Sequence, residues 1–322
     1  MKQTRRLASI DCFRGFAVLA MVLASYLFGT EALPAWLRHA PDGKLTVVDL
    51  GAPLFIIAIG LTFGGALQRR WSRDGPARAL WHFLRRALLL FAVGLTMALI
   101  QTRLGRNEGG VPWGVLQAIA IAIALTLLTL KLPPLARAAV GLALLAAYQF
   151  VVLRYWLPQV LAAPHGGLPG ALGWASLLIL GTACGDLFFR SPHRELALPA
   201  AGLLAVTGAL ALSRIIPISK PRISASYVLL AVGVSVLVFW VFHLLVDRLL
   251  WHPSWLAAPG KNPLLIYLLQ YVLLGLLFVL PGIPWWYPQT PGWLIIVQAT
   301  SLVAIVIVLA RFLERRKWIL SL

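Results

Sequence analysis

Apolar runs of about 20 residues recur along the whole chain, and a run of that length is what an α-helix needs to cross a bilayer. Ten can be read. Five fall in the first half: Asp11 to Phe28, Leu50 to Gln68, Leu84 to Thr102, Trp113 to Leu130 and Ala136 to Leu153. Five follow: Ala171 to Phe189, Leu196 to Ser213, Ser224 to Asp247, Asn262 to Leu280 and Pro291 to Leu309. In lipid each spanning segment must satisfy its own backbone hydrogen bonds, so such a chain folds as helices. The expected class is all-α, a polytopic integral membrane helix bundle of about ten transmembrane helices. Composition agrees, because 60% hydrophobic and 12% charged residues leave too little polar surface for a soluble domain.

The net charge of +18 is a matter of topology. One set of alternate loops and helix ends holds 20 of the 28 basic residues, and the other set holds 8. The first set includes the amino terminus, six arginines between Gln68 and Arg86, and Arg311 to Lys317. Basic residues collect on the cytoplasmic side, so both termini are expected there. The loop carrying His39 then faces outward. No basic face with interleaved aromatics lies on a soluble segment, and nucleic acid is not expected as a partner. The six-arginine loop suits anionic lipid head groups, or a polyanionic nucleotide. The uncharged outward loop from Leu280 to Gly292 carries Trp285, Trp286 and Tyr287, which suit the membrane interface or a sugar ring.

The amino terminus has a basic flank before its apolar run, but no convincing cleavage site, so it reads as a retained first helix. Cys12 and Cys184 support neither a disulfide nor a metal site. Inverted repeats of the transporter kind are not visible.

The residues placed for chemistry lie between Leu37 and Phe55. Neutral imidazole is the usual general base near neutral pH, and it can also carry an acyl group. His39 stands just outside the first span and Asp49 opens the second. A carboxylate beside His39 would fix its tautomer, and either Asp49 or Asp42 is near enough in sequence to serve. Of the other histidines, His165 sits in an outward loop and ranks second. His243 lies inside a span, where its ring needs a hydrogen-bond partner. Gln117, Gln149, Gln270 and Gln298 are intramembrane polar residues, suited to interhelical hydrogen bonds or to lining a cavity. Asp11 and Arg14, three apart on one helix, are near enough to pair.

Taken together, these residues resemble one family. Arg6-Leu-Ala-Ser-Ile-Asp11-Cys-Phe-Arg14-Gly15 is similar to the opening motif of the heparan-α-glucosaminide N-acetyltransferase family and its bacterial relatives. His39-Ala40, Gly43, Thr46, Asp49-Leu50, Pro53 and Phe55 follow in family order. So do Gly114-Val115-Leu116-Gln117, Ser226-Tyr227-Val228-Leu229 and Gly260-Lys261-Asn262, with Leu264 and Tyr267. The chain has Ser25-Tyr26 where the family often has Asn-Tyr, and Pro41-Asp42 where it has a tryptophan nearby. Ala118 replaces an arginine.

The resemblance implies one transmembrane acyltransferase domain over residues 1–322, taking acetyl from cytoplasmic acetyl-CoA to a sugar or glycan on the outer face. His39 is then the catalytic base or acyl carrier, with Asp49 and Ser25 beside it. Arg14, Gln117, Lys261 and Asn262 fall on the acetyl-CoA side, and no metal is implied. A homodimer and a bacterial inner membrane location are further expectations. The reading from a different class is a transporter or flippase of an anionic lipid-linked or sugar precursor, without covalent chemistry.

Overall fold

The computed structural model describes residues 7–27, 32–103, 113–279 and 291–318. Among them every regular element is helical. In chain order the helices are α1 (Ala8–Leu27), α2 (Gly51–Asp74), α3 (Pro76–Arg103), α4 (Val115–Thr129), α5 (Pro134–Val151) and α6 (Leu157–Ala162). Then come α7 (Gly167–Arg190), α8 (Arg194–Leu212), α9 (Ala225–Phe242), α10 (Ser254–Lys261), α11 (Pro263–Val279) and α12 (Gly292–Arg315). A π-helical turn continues α5 over Val152–Trp156, and another continues α9 over His243–Arg248.

Eight of these helices, some with flanking turns, are long and apolar enough to cross a membrane, so the chain is an all-α membrane bundle. Each of the ten expected runs contains a helix among the described residues, but α4 and α11 are shorter apolar helices. Helix α10 was not expected, because its eight residues contain Pro259 and Gly260 and read as a loop. The aromatic residues 280–290 and the basic residues Lys2, Arg5, Arg6 and Arg106 lie outside the described residues.

Local chemistry sets the boundaries. Gly75 separates α2 from α3 at φ +83°, a left-handed conformation that a side chain disfavours. Pro76, Pro134 and Pro263 open α3, α5 and α11, where a missing N–H costs nothing and φ is preset. Polar groups inside the helices bond locally or in pairs. Thr126 and Ser176 return their hydroxyls to carbonyls four residues back.

The chain divides into two compact units, one of Met1–Ala40, Thr46–Phe55 and Val238–Leu322, the other of Pro41–Leu45 and Ile56–Leu237. In the first, α1 lies backbone to backbone against α10. A Cβ on Gly15 would stand 1.8 Å from the Leu256 carbonyl oxygen, and one on Gly260 would stand 1.8 Å from that of Asp11. Only glycine allows so close an approach. Phe13 packs on Phe239 and Phe242 with ring centroids 5.5 and 6.0 Å apart. The Asp247 carboxylate accepts from the Ser9 hydroxyl at 2.5 Å and pairs with His243 Nδ1 at 2.8 Å.

In the second unit, α7 is the central helix, packed by α4, α5 and α8. Its Asp186 holds Arg137 of α5 at 2.7 Å and Arg190 at 3.1 Å. Arg137 is almost fully buried, and its guanidinium also reaches the carbonyls of Leu132 and Thr182. A buried charge persists only when paired and hydrogen-bonded in this way. Outward-facing leucines on α8, including Leu196 and Leu204, present an apolar surface suited to lipid tails.

The glycine contact makes a test. Gly260→Ala forces the α1 and α10 backbones apart, at a cost of about 1–3 kcal/mol or more. Gly208→Ala, where a Cβ meets nothing within 4 Å, leaves stability unchanged or raises it by up to ~1 kcal/mol. Thermal unfolding of the detergent-purified variants measures both.

Candidate active site

The short 3₁₀ turn Val47–Leu50 precedes α2 and carries Asp49. Thr46 is its N-cap and forms a capping box with Asp49: each side chain meets the other residue's backbone N–H. The spacing Thr46-x-x-Asp49 is a helix-start signal that the sequence itself carries.

Asp49 is completely buried, and its carboxylate is surrounded by donors. Oδ2 accepts from the backbone N–H of Ala40 at 3.2 Å and of Thr46 at 3.1 Å. The Thr46 hydroxyl lies 3.1 Å from Oδ2 and 2.7 Å from the Arg38 carbonyl oxygen. The other oxygen, Oδ1, lies 2.7 Å from His39 Nδ1. Of the two aspartates the sequence left open, Asp49 is therefore the partner of His39.

This arrangement has a chemical consequence. A carboxylate at Nδ1 favours the tautomer with its proton there, which makes Nε2 the basic nitrogen. The His39 side chain is 28% exposed while that of Asp49 is 0% exposed, so the base is reachable and its orienting group is not. The pair can accept a proton and stabilise the imidazolium that results.

Ser25 lies near the end of α1, where its hydroxyl donates to the Met21 carbonyl at 2.9 Å and accepts from Gln270 Nε2 at 3.4 Å. The same turn of α1 supports the dyad segment, since a Cβ on Gly51 would stand 3.4 Å from the Met21 nitrogen.

The residues expected on the acetyl-CoA side divide. Arg14 pairs with Asp11 at 3.5 Å, as the spacing suggested, and donates to the Gly260 carbonyl at 3.3 Å. Lys261 pairs with Glu314, and Asn262 donates to the Trp318 carbonyl at 2.8 Å. Arg14, Lys261 and Asn262 thus meet around the α1–α10 contact and the end of α12. Gln117 belongs to the other unit, buried in α4 beside Gly94 of α3. Fit to a CoA polyphosphate rests mainly on Lys261, whose ammonium has three donors, one of them facing Glu314. Among the described residues no group of three or more His, Cys, Asp or Glu could hold a metal ion.

The other histidines take different places. His243 is bonded to Asp247, as an intramembrane imidazole requires. His165 has φ +53° and its carbonyl accepts from the Trp174 indole at 3.1 Å. Gln149 Oε1 accepts from the Ala225 N–H at 2.7 Å, an interhelical bond.

Asp42 turns to Arg222, whose guanidinium grips its carboxylate at 2.5 to 2.9 Å, and it accepts from the Ser219 hydroxyl at 2.6 Å. The Arg222 hydrogen bonds hold the Asp42 carboxyl below its usual range, against a smaller opposing effect of burial. A carboxylate depressed in the folded state stabilises above its ordinary pKa of about 4, and that contribution fades as pH falls through the folded value.

Two outcomes are expected. Asp49→Ala strands three backbone and side-chain donors in a buried site, each costing about 1–3 kcal/mol. It should destabilise the protein far more than His39→Ala, as read by thermal unfolding. Arg222→Ala should flatten the acid limb of the unfolding curve below about pH 4, measured on the same preparations.

A family model described as heparan-alpha-glucosaminide N-acetyltransferase, catalytic, matches residues 6–215. The human heparan-alpha-glucosaminide N-acetyltransferase is 35% identical over 94 residues, which cover 28% of this chain and 13% of the human protein. The matched range includes the whole His39–Asp49 segment. With well over half of its length matched by that model, the chain belongs to the heparan-alpha-glucosaminide N-acetyltransferase catalytic family.

Proposed function

We propose that this protein is a membrane-embedded acyltransferase that moves an acetyl group from acetyl-CoA to an amino or hydroxyl group of a sugar or glycan. The observation that carries this reading is the 2.7 Å contact between a reachable His39 and a fully buried Asp49. The family description adds the acetyl donor's reaction class and a glucosaminide acceptor.

In the direct form of the reaction, His39 Nε2 takes a proton from the acceptor nitrogen or oxygen as that atom attacks the acetyl carbonyl carbon. The new C–N or C–O bond forms and the C–S bond breaks. The CoA thiolate leaves and takes up a proton, and the imidazolium, held by Asp49, later returns its own to solvent. In the two-step form His39 carries the acetyl group between donor and acceptor. Ser25, bonded to the Met21 carbonyl, is a positioning residue beside the dyad. Arg14, Lys261 and Asn262, with Gln117, are assigned to the acetyl-CoA side.

The charge distribution supports an orientation with both termini in the cytoplasm, acetyl-CoA entering there and the acceptor meeting His39 on the outer face. The full chain, 1–322, acts in this reading as one acyltransferase domain. Its place is a cytoplasmic membrane of the bacterial inner-membrane type.

His39→Ala is expected to lower acetyl transfer by about 10²–10⁴-fold, the usual contribution of a general base. Acetyl-CoA affinity and unfolding temperature should hold. The measurement is transfer of labelled acetyl from acetyl-CoA in vesicles, with release of CoA thiol followed in parallel. Undiminished transfer in the variant would sink the role of His39, and a wild-type protein that releases no thiol with any sugar acceptor would point to transport instead.

A further inference from the structure

The loop that separates His39 from Asp49 is closed at its base and held at its tip. At the base one oxygen serves both ends: Asp49 Oδ2 accepts from the Ala40 N–H at 3.2 Å and from the Thr46 N–H at 3.1 Å. His39, the residue before Ala40, meets the other oxygen of that carboxylate at 2.7 Å. The tip is a turn in which the Lys44 N–H donates to the Pro41 carbonyl at 3.2 Å. Gly43 stands there at φ +78°, where an added Cβ would meet nothing within 4 Å. Pro41, Asp42, Gly43 and Lys44 are all exposed, so no apolar packing fixes this turn. The Asp42 carboxylate does. Arg222 meets it with two prongs, Nε at 2.7 Å from Oδ1 and Nη2 at 2.5 Å from Oδ2, and the Ser219 hydroxyl donates to Oδ1 at 2.6 Å.

The other half of this clasp is built to stay in place. The Arg222 carbonyl accepts from the Tyr148 hydroxyl at 2.8 Å, and the Arg222 N–H donates to Ser219 Oγ at 3.3 Å. The Ser226 hydroxyl donates to the Pro217 carbonyl at 3.0 Å, closing the loop that carries Arg222. Next to Arg222, Ile223 stands at φ +49°, a left-handed conformation that a β-branched residue adopts only where its surroundings impose it. Its side chain is fully buried. A Cβ added at Gly166, Gly170 or Gly173 would stand 3.1, 3.5 or 2.6 Å from an Ile223 side-chain carbon, so the socket exists because those positions are glycine. Strain of this kind gathers at clamps and sites of function, and the residue that it places is Arg222. The pair itself contributes little to stability, because the Arg222 and Asp42 side chains are 22% and 30% exposed. What two-pronged pairing supplies is direction.

We propose that Arg222 is a positioning residue for acetyl transfer: through Asp42 it holds the tip of the loop whose base carries His39, and so keeps the imidazole in its reactive orientation. This rests on the acetyl-transfer reading above and adds to it a residue that never touches the reacting atoms. The link is short, since Asp42 is three residues beyond His39 and four before Thr46. With the clasp open, the turn regains the freedom that its exposure allows. The Ala40 and Thr46 N–H groups then exchange Asp49 for water part of the time, and His39 loses its fixed approach. A displacement of about 1 Å at a reacting group costs up to about 10²-fold in rate.

The test uses the full chain in lipid nanodiscs, with acetyl-CoA and glucosamine as probes. Arg222→Ala and Asp42→Ala should each lower kcat about tenfold or more, with the KM for acetyl-CoA held. The double variant should be no slower than either single one, since both remove the same clasp. Arg222→Lys, which keeps the charge, should recover part of the rate. Arg214→Ala, which removes an exposed charge of the same sign in the loop after α8, should leave kcat unchanged. In parallel, amide hydrogen exchange is followed by mass spectrometry over residues 38–50 without acetyl-CoA. The Ala40 and Thr46 amides should exchange about tenfold faster or more in Arg222→Ala and Asp42→Ala. Faster exchange in the variants, with no acetyl transfer by wild type, would sink the acetyl-transfer reading and leave the hold on His39 standing. Unchanged exchange overturns the proposal. So does a wild-type kcat in Asp42→Ala, whose change lies at an exposed turn and is tolerated even if Arg222→Ala folds poorly. Additive losses in the double variant overturn it too, because they trace the effect of Arg222 to its own loop.

Discussion

The placing of His39, Ala40 and the turn from Thr46 to Leu50 depends on one buried carboxylate. Asp49 has no contact with water, so its charge must be met by donors supplied by the protein. The chain meets it from both sides. Ala40 approaches from the end of one segment and Thr46 from the start of the next, with His39 filling the remaining oxygen. The same atoms that cap the turn before α2 therefore also set the imidazole's tautomer. Structure and chemistry are not separable at this residue, and the ring's orientation inherits the rigidity of a helix start.

The same rule, that polar groups away from water must find partners, governs the rest of the bundle. Arg137 with Asp186, Lys261 with Glu314, and Ser9 and His243 with Asp247 are partnerships of this kind. Several buried atoms, among them Gln270 Oε1, the Tyr26 hydroxyl, Arg137 Nε and Trp240 Nε1, have no hydrogen-bond partner among the described residues.

Much of this was readable from the sequence, for identifiable reasons. The helices announce themselves through apolar runs, and their order follows without ambiguity. The His39–Asp49 pairing was half legible: two aspartates were in range, and sequence distance does not say which way a loop folds. The capping box decided it, since Thr46 fixes Asp49 inward while Asp42 goes to Arg222, 180 residues away along the chain. Helix α10 was invisible because Pro259 and Gly260 read as loop punctuation. Its helicity comes from packing on α1, which no local propensity encodes. Gln270 could be seen as an intramembrane glutamine, but the direction of its amide depends on Ser25 and Met21 on another helix.

The reciprocal glycines of α1 and α10 have a mechanical meaning. Two helices in backbone contact, with no side chains between them to repack, have no soft layer along which to slide. Helix α10 carries Lys261 at its end, and α1 carries Arg14 near one end and Ser25 near the other. Helix α1 thus joins the α10 contact at Gly15 to the turn on which Ser25 and the dyad segment rest.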